Sequence, residues 1–233
     1  MKNSEIKSEA KKLLSGNWGK ACGISFLFFL LQFTLNLITG IFKDSDSIFS
    51  ILMPILNLVL SIPLSYGLYD AFVKIKYNNE VGYTFFITSM FDNFGRAWGI
   101  FGRILLKFLP IIILEMLCVI LAPLVALRFS FIFALILNLL ALGLLIYLAI
   151  ESCCYTLAYV AACEYPELSP KEIFEDTKSL LKTYDNKFIW LSLSFIGWSI
   201  LSVLTFGIGS IFLVPYMFIS YIVFYDNIKS SNQ

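Results

Sequence analysis

NWGKACGI at residues 17–24 returns almost unchanged as NFGRAWGI at 93–100. Each copy reads Asn, aromatic, Gly, basic, Ala, variable, Gly, Ile, and each stands where a polar stretch gives way to a long apolar one. These residue types suit the entry of a helix into a bilayer. Asn and Gly favour a break between helices. An aromatic ring settles at headgroup depth, and a Lys or Arg reaches back to anionic headgroups along its methylene stem. Gly19 with Gly23, and Gly95 with Gly99, have GxxxG spacing, which either permits close helix approach or only serves the turn. Asn17, Trp18, Gly19 and Lys20, with Asn93, Phe94, Gly95 and Arg96, are therefore read as an interface-and-turn motif. A degraded third copy, YDNKFIW at 184–190, is expected to open a third such unit.

The stretches that follow each copy are long and apolar. Of the 233 residues, 59% are hydrophobic and 14% charged, and the mean hydropathy is +0.83. A water-soluble domain carries about 25% charged residues, so lipid must face much of this chain. A helix crosses the hydrocarbon with about 20 mostly apolar residues. Six segments meet or approach that: 21–42, 48–73 (interrupted by Pro54 and Pro63), 97–126, 129–163, 188–206 and 208–225. The fourth is longer than a membrane is thick, so it must tilt, bend near Gly143 or project. The connections near Arg128 and at Gly207–Gly209 are short and force tight hairpins. The first apolar run is too long for a signal-peptide core and is expected to be retained as a span.

Fifteen of the 17 Lys and Arg residues fall before span one, between spans two and three, between four and five, or after six; only Lys43 and Arg128 fall on the other side. That split is a strong positive-inside signal. It predicts both termini in the cytoplasm. No basic stripe suited to nucleic acid is present.

The polar segments have amphipathic patterns of their own. SPKE at 169–172 reads as a capping box with Pro170 at the first helical position, followed by Ile173, Phe174, Thr177, Leu180 and Leu181 on one face. Ile6, Ala10, Leu13 and Leu14 form a similar stripe, and Phe86, Ile87, Met90 and Phe91 a shorter one. Each suits a helix lying in the membrane interface or packing on the ends of the bundle. The expected fold is thus all-α: six transmembrane helices as three hairpins, each preceded by an amphipathic helix. The chain reads as one integral membrane domain, 1–233, with units of about 1–77, 78–165 and 166–233. Tyr66 and Tyr69, Tyr155 and Tyr159, and Tyr216 and Tyr221 echo one another at matching places.

Four stretches carry a resemblance to a known family: AKKLLSGNWGKA at 10–21, PLSYGLYDAFVKIK at 63–76, YVAACEYPELSPKEIFEDTKSLLKT at 159–183 and SFIGWSILSVLTFGIGSIFLVPY at 194–216. Together they make the whole chain resemble the DUF975 family of bacterial integral membrane proteins, and more distantly YciC-like proteins and the membrane domains fused to glycerophosphodiester phosphodiesterases. The resemblance implies topology and location and supplies no catalytic residue.

Chemistry-bearing residues are few. With no histidine, His-based zinc sites and His-activated nucleophiles are excluded. The five cysteines sit in or beside apolar segments without CxxC spacing, so they read as packing residues, and no metal or cofactor is expected. FGIG at 206–209 lacks the spacing of a nucleotide loop and reads as a turn. Ionisable groups within spans are costly and therefore informative. Glu115 lies deep in span three, as a functional group or a structural hydrogen-bonding one. Glu151 is placed to meet Lys107 or Arg103 as an ion pair. Asp70 is four residues from Lys74, a helical pair, and Asp226 closes span six. The function expected is a structural, regulatory or partner-anchoring membrane protein touching anionic headgroups. A permease-like path through Glu115 and Glu151 is the alternative, and an enzyme is not expected.

Overall fold

The computed structural model describes residues 2–43, 48–77, 80–128 and 131–231. Ten helices are found among them: α1 (Asn3–Leu14), α2 (Trp18–Phe42), α3 (Phe49–Lys76), α4 (Phe85–Asp92), α5 (Phe94–Arg128), α6 (Phe131–Cys154), α7 (Thr156–Glu164), α8 (Pro170–Leu193), α9 (Ile196–Leu204) and α10 (Ser210–Ser231). No strand occurs among the described residues. Backbone groups in lipid must be paired within their own segment, which helices achieve and open sheets do not. By length and apolar composition, six helical stretches can cross a membrane: 18–42, 49–76, 94–125, 131–164, 170–204 and 210–231.

Burial divides the bundle into two zones. In α2 from Phe26 to Ile41, α3 from Phe49 to Leu58, α5 beyond Leu105 and α6 up to Ile150, large apolar side chains are mostly exposed. That is the expected surface of a lipid-facing helix. The buried core lies at the other end. It joins Ile62–Ile75 of α3, Ala97 and Ile100 of α5, most of α7, and the inner faces of α8 and α10. The α1 stripe Ile6, Ala10 and Leu14, the α4 pair Phe86 and Met90, and the α8 face Ile173, Thr177, Leu180 and Leu181 are buried there too. These helices spend their apolar faces on the bundle.

Asn17 and Asn93 mark the same backbone event. Asn17 (φ −113°, ψ 2°) and Asn93 (φ −110°, ψ 19°) separate α1 from α2 and α4 from α5. Each carbonyl accepts from the amide four residues on, Ala21 or Ala97, at 2.9 Å. Gly16, at φ +84°, supplies the left-handed step before Asn17. The third copy behaves otherwise: α8 runs through 184–190 without interruption and breaks only at Ser194–Phe195. That copy lacks glycine, and its residues tolerate a helix interior.

Three expected interruptions also differ. Pro54 and Pro63 are carried inside a continuous α3. Pro63 has no amide to offer the Val59 carbonyl, and the Trp98 indole of α5 donates to that carbonyl instead, at 3.3 Å. The long fourth segment is interrupted at Tyr155, between α6 and α7, and Gly143 stays helical. The α5–α6 connection, expected to be tight, falls on 129–130, outside the described residues. The α9–α10 turn is built as expected: Phe206 (φ 52°) and Gly207 (φ 85°) are left-handed, and the Gly207 amide donates to Ser202 O at 2.8 Å. Phe206 is 98% exposed at the tip.

The third hairpin is shallower than the first. Phe218 packs on Tyr69 of α3, with ring centroids 4.4 Å apart. Phe218 lies eight residues beyond the start of α10 at Ser210, whereas Tyr69 lies twenty beyond the start of α3 at Phe49. At ~1.5 Å per residue the α10 arm rises about 12 Å above that level and the α3 arm about 30 Å.

Candidate functional site at the packed end of the bundle

Three second-arm helices converge at the packed end. Tyr69 of α3 stacks on Tyr159 of α7 (centroids 5.6 Å), and Phe72 stacks on Phe218 of α10 (5.5 Å). One turn further along, Lys76 at the end of α3 lies 2.8 Å from Glu164 Oε1 at the end of α7 and 2.7 Å from Asp226 Oδ2 near the end of α10. The Tyr77 hydroxyl donates to the second Glu164 oxygen at 2.6 Å. Burial and that carboxylate hold the Tyr77 phenol above its usual range. A third ion pair, Lys229 with Asp176 at 2.8 Å, ties α10 to α8. One lysine thus locks three helix ends whose positions are far apart in sequence.

Arg96 completes the junction. It donates to the carbonyls of Ala162 (3.2 Å), Tyr165 (2.8 Å) and Pro166 (2.9 Å) at the end of α7. A cation at a helix C-terminus satisfies orphan carbonyls and the negative end of the dipole. This corrects the expectation that Arg96 reaches lipid headgroups. Its side chain is used inside the protein because α7 ends within reach of it.

A second cluster lies between α5, α6 and α8. Lys107 forms an ion pair with Glu151, and Tyr147 donates its hydroxyl to Glu151 at 3.0 Å. The Lys107 ammonium also stands 4.2 Å from the Tyr155 ring centroid. These residues open onto a cavity of about 380 Å³ whose far wall carries Lys178, Lys182 and Asp185 of α8. A larger cavity of about 640 Å³ lies between α1, Trp18 and the α9–α10 hairpin.

The other sequence candidates are placed separately. Asp70 accepts from Ser89 Oγ at 2.6 Å, while Lys74 sits 4.2 Å over the Phe85 ring. The expected Asp70–Lys74 pair does not form, because α4 packs on α3 and gives each residue its own partner. Asp226, read as a plain boundary residue, belongs to the Lys76 junction. Glu115 is half-buried, has no polar partner among the described residues, and lines neither cavity. Trp18 lies 6.5 Å from Tyr216 across the larger cavity. Phe94 and Lys20 are half-buried.

The GxxxG pairs also separate. A Cβ on Gly19 or Gly95 would meet nothing within 4 Å, whereas on Gly23 it would lie 2.6 Å from the Tyr83 ring and on Gly99 3.0 Å from Pro170. Only the second glycine of each pair permits close packing, and the neighbour in both cases leads into the next amphipathic helix.

Sequence reasoning missed the Lys76–Glu164–Asp226 junction and a polar ladder in the first hairpin. In the ladder, Asn57 donates to Asn36 (3.2 Å) and Thr39 (3.3 Å), and Ser61 donates to Asn57 (2.9 Å) and Gln32 (3.4 Å). The signal was present as spacing: Gln32, Asn36 and Thr39 share one helical stripe, and Asn57 and Ser61 another. Such side chains hold helices together in lipid.

Apolar spanning helices around a polar, multiply cross-linked junction define a multi-pass helical membrane protein. The chain belongs to the family described as "Protein of unknown function (DUF975)", whose match covers residues 1–232. No curated protein and no solved structure matches it.

Proposed function

We propose that this protein is a structural or regulatory anchor of the bacterial cytoplasmic membrane. In this reading both termini are cytoplasmic, and the packed end offers a basic platform to anionic headgroups and a protein partner. The observation that carries it is the use of α8. Its apolar face is buried in the bundle, while Lys171, Lys178 and Lys182 stand exposed opposite and form no ion pair among the described residues. A helix held this way presents charge rather than sinking into lipid, and each such lysine contributes ~1 kcal/mol of attraction near an anionic surface. The position of 15 of the 17 basic residues on one side of the spans supports the same orientation.

A transport reading needs a polar route through the membrane zone. Glu115 stands eight residues beyond Lys107 on α5, about 12 Å from the Lys107–Glu151 pair. Around it, Cys118, Ala122, Ala134 and Ala141 are the only residues of 109–150 that are buried, among those described. A single chain therefore offers Glu115 little enclosure. Complementation of a deletion strain with two variants that retain the wild-type melting temperature separates the readings. The anchor reading expects Lys171→Gln/Lys178→Gln/Lys182→Gln to fail and Glu115→Gln to restore growth. The reverse pattern favours transport.

A further inference from the structure

The larger cavity has two chemically different ends. At one, Lys7 and Lys11 sit one turn apart on α1. Lys7 Nζ donates to the Ser194 carbonyl at 3.1 Å and lies 4.2 Å from the Phe195 ring centroid; Lys11 Nζ lies 5.5 Å from that of Tyr216. Neither lysine has a carboxylate partner among the described residues. The α1 carboxylates Glu5 and Glu9 line, with Lys12, an adjoining surface groove that meets the cavity at Ser4 and Ser8. Burial, and then the charge of Lys11, draws the Lys7 ammonium below the ordinary lysine range. An anion bound between the two lysines would relieve that repulsion.

The other end is apolar. Trp198 and Leu201 of α9 and Phe212 and Leu213 of α10 form its walls. The hydroxyls beside them are already committed: Ser202 donates to the Trp198 carbonyl at 2.9 Å and Thr205 to the Ser202 carbonyl at 2.9 Å. From Tyr216 to Gly209 the cavity follows seven residues of chain, about 10 Å along α10. Its volume of about 640 Å³ lies within the ~300–1,000 Å³ typical of specific ligand sites.

We infer that this cavity holds one anionic phospholipid, with its phosphate between Lys7 and Lys11 and an acyl chain along Trp198, Leu201, Phe212 and Leu213. A free phosphate would use the lysines and leave the apolar half vacant. A zwitterionic lipid would set its own cation against them. The inference rests on the reading that the packed end lies at a membrane surface, and it goes further in assigning a single, saturable site.

The test is native mass spectrometry of the full chain in detergent, titrated with phosphatidylglycerol and phosphatidylcholine of identical acyl chains. The expected result is one retained phosphatidylglycerol, preferred on the order of tenfold. Lys7→Gln/Lys11→Gln abolishes the preference, Lys7→Arg/Lys11→Arg keeps it, and Leu201→Trp, which fills the apolar half, removes the bound lipid. Glycerol phosphate, a soluble headgroup analogue, does not displace it. Equal retention of the two lipids, an unchanged preference in the Gln double variant, or displacement by glycerol phosphate would overturn the assignment. The α8 triple variant keeps the bound lipid, so loss of this site and loss of the anchor function are read separately.

Discussion

Lys76 Nζ lies 2.8 Å from Glu164 Oε1, joining the ends of α3 and α7, and both side chains are nearly buried, at 11% and 7% exposed. Removing one member of such a pair leaves the other charge uncompensated, at a cost of about 3 kcal/mol or more. Lys76→Met is therefore expected to lower stability in detergent by about that amount. Asp226→Asn, whose side chain is 40% exposed, should cost about 1 kcal/mol or less. Unfolding followed by circular dichroism checks both. Equal effects would mean that the junction is not centred on Lys76 and Glu164.

The Trp98 indole and Pro63 act on one carbonyl, that of Val59. Trp98→Phe removes the donor and leaves that oxygen unpaired, at a cost of about 1–3 kcal/mol. Pro63→Ala restores an amide four residues on from Val59. The loss from Trp98→Phe should therefore shrink in the Pro63→Ala background. A double-mutant cycle on melting curves measures the coupling, and strict additivity would contradict the shared acceptor.

Gly67 of α3 sets the approach of α4. An added Cβ there would overlap the Phe86 carbonyl, a backbone atom that cannot swing away. Gly67→Ala is expected to cost about 3 kcal/mol or to prevent folding. Gly19→Ala and Gly95→Ala meet open space and should be neutral or stabilising by up to about 1 kcal/mol. Thermal stability of the three variants distinguishes a true contact glycine from a motif glycine.

Much of this was legible beforehand. Apolar run length marked the spanning helices, because lipid imposes a minimum length on them. SPKE gave the α8 cap as found: the Ser169 amide donates to Glu172 Oε2 at 2.8 Å, and the Glu172 amide to Ser169 Oγ. Opposite-running neighbours led to an ion pair of Glu151 with Lys107 or Arg103, and Lys107 is the partner found. What the sequence hid depends on tertiary partners. Arg96 looks like a headgroup ligand until α7 is seen to end beside it. Asp70 looks like a partner for Lys74 until α4 brings Ser89. Lys76, Glu164 and Asp226 each close a different segment, and no local spacing links them. Tyr155 gives no breaker signal, so the interruption between α6 and α7 had no local mark in the sequence.

Lipid retention in the α1 cavity should depend on pH. Its titratable lining groups are Lys7, Lys11 and Tyr216. The Lys7 pKa is lowered in the protein, so its charge is present at low pH and is lost, as pH rises, earlier than for an ordinary lysine. An anion binds the charged form, so phosphatidylglycerol retention should fall as pH rises through that lowered value. In Lys7→Gln the early loss should disappear. A profile unchanged by that substitution would show that Lys7 does not hold the anion.

The most direct measurement of the whole arrangement is single-cysteine labelling in a variant freed of Cys22, Cys118, Cys153, Cys154 and Cys163, using a membrane-impermeant maleimide. Exposed positions Ser8 on α1, Thr88 on α4, Ser179 on α8 and Ser230 on α10 are expected to react only after the membrane is opened, and exposed Leu127 at the far end of α5 to react in intact cells. Labelling of any of the first four from outside, or protection of Leu127, would contradict a bundle whose packed basic end faces the cytoplasm.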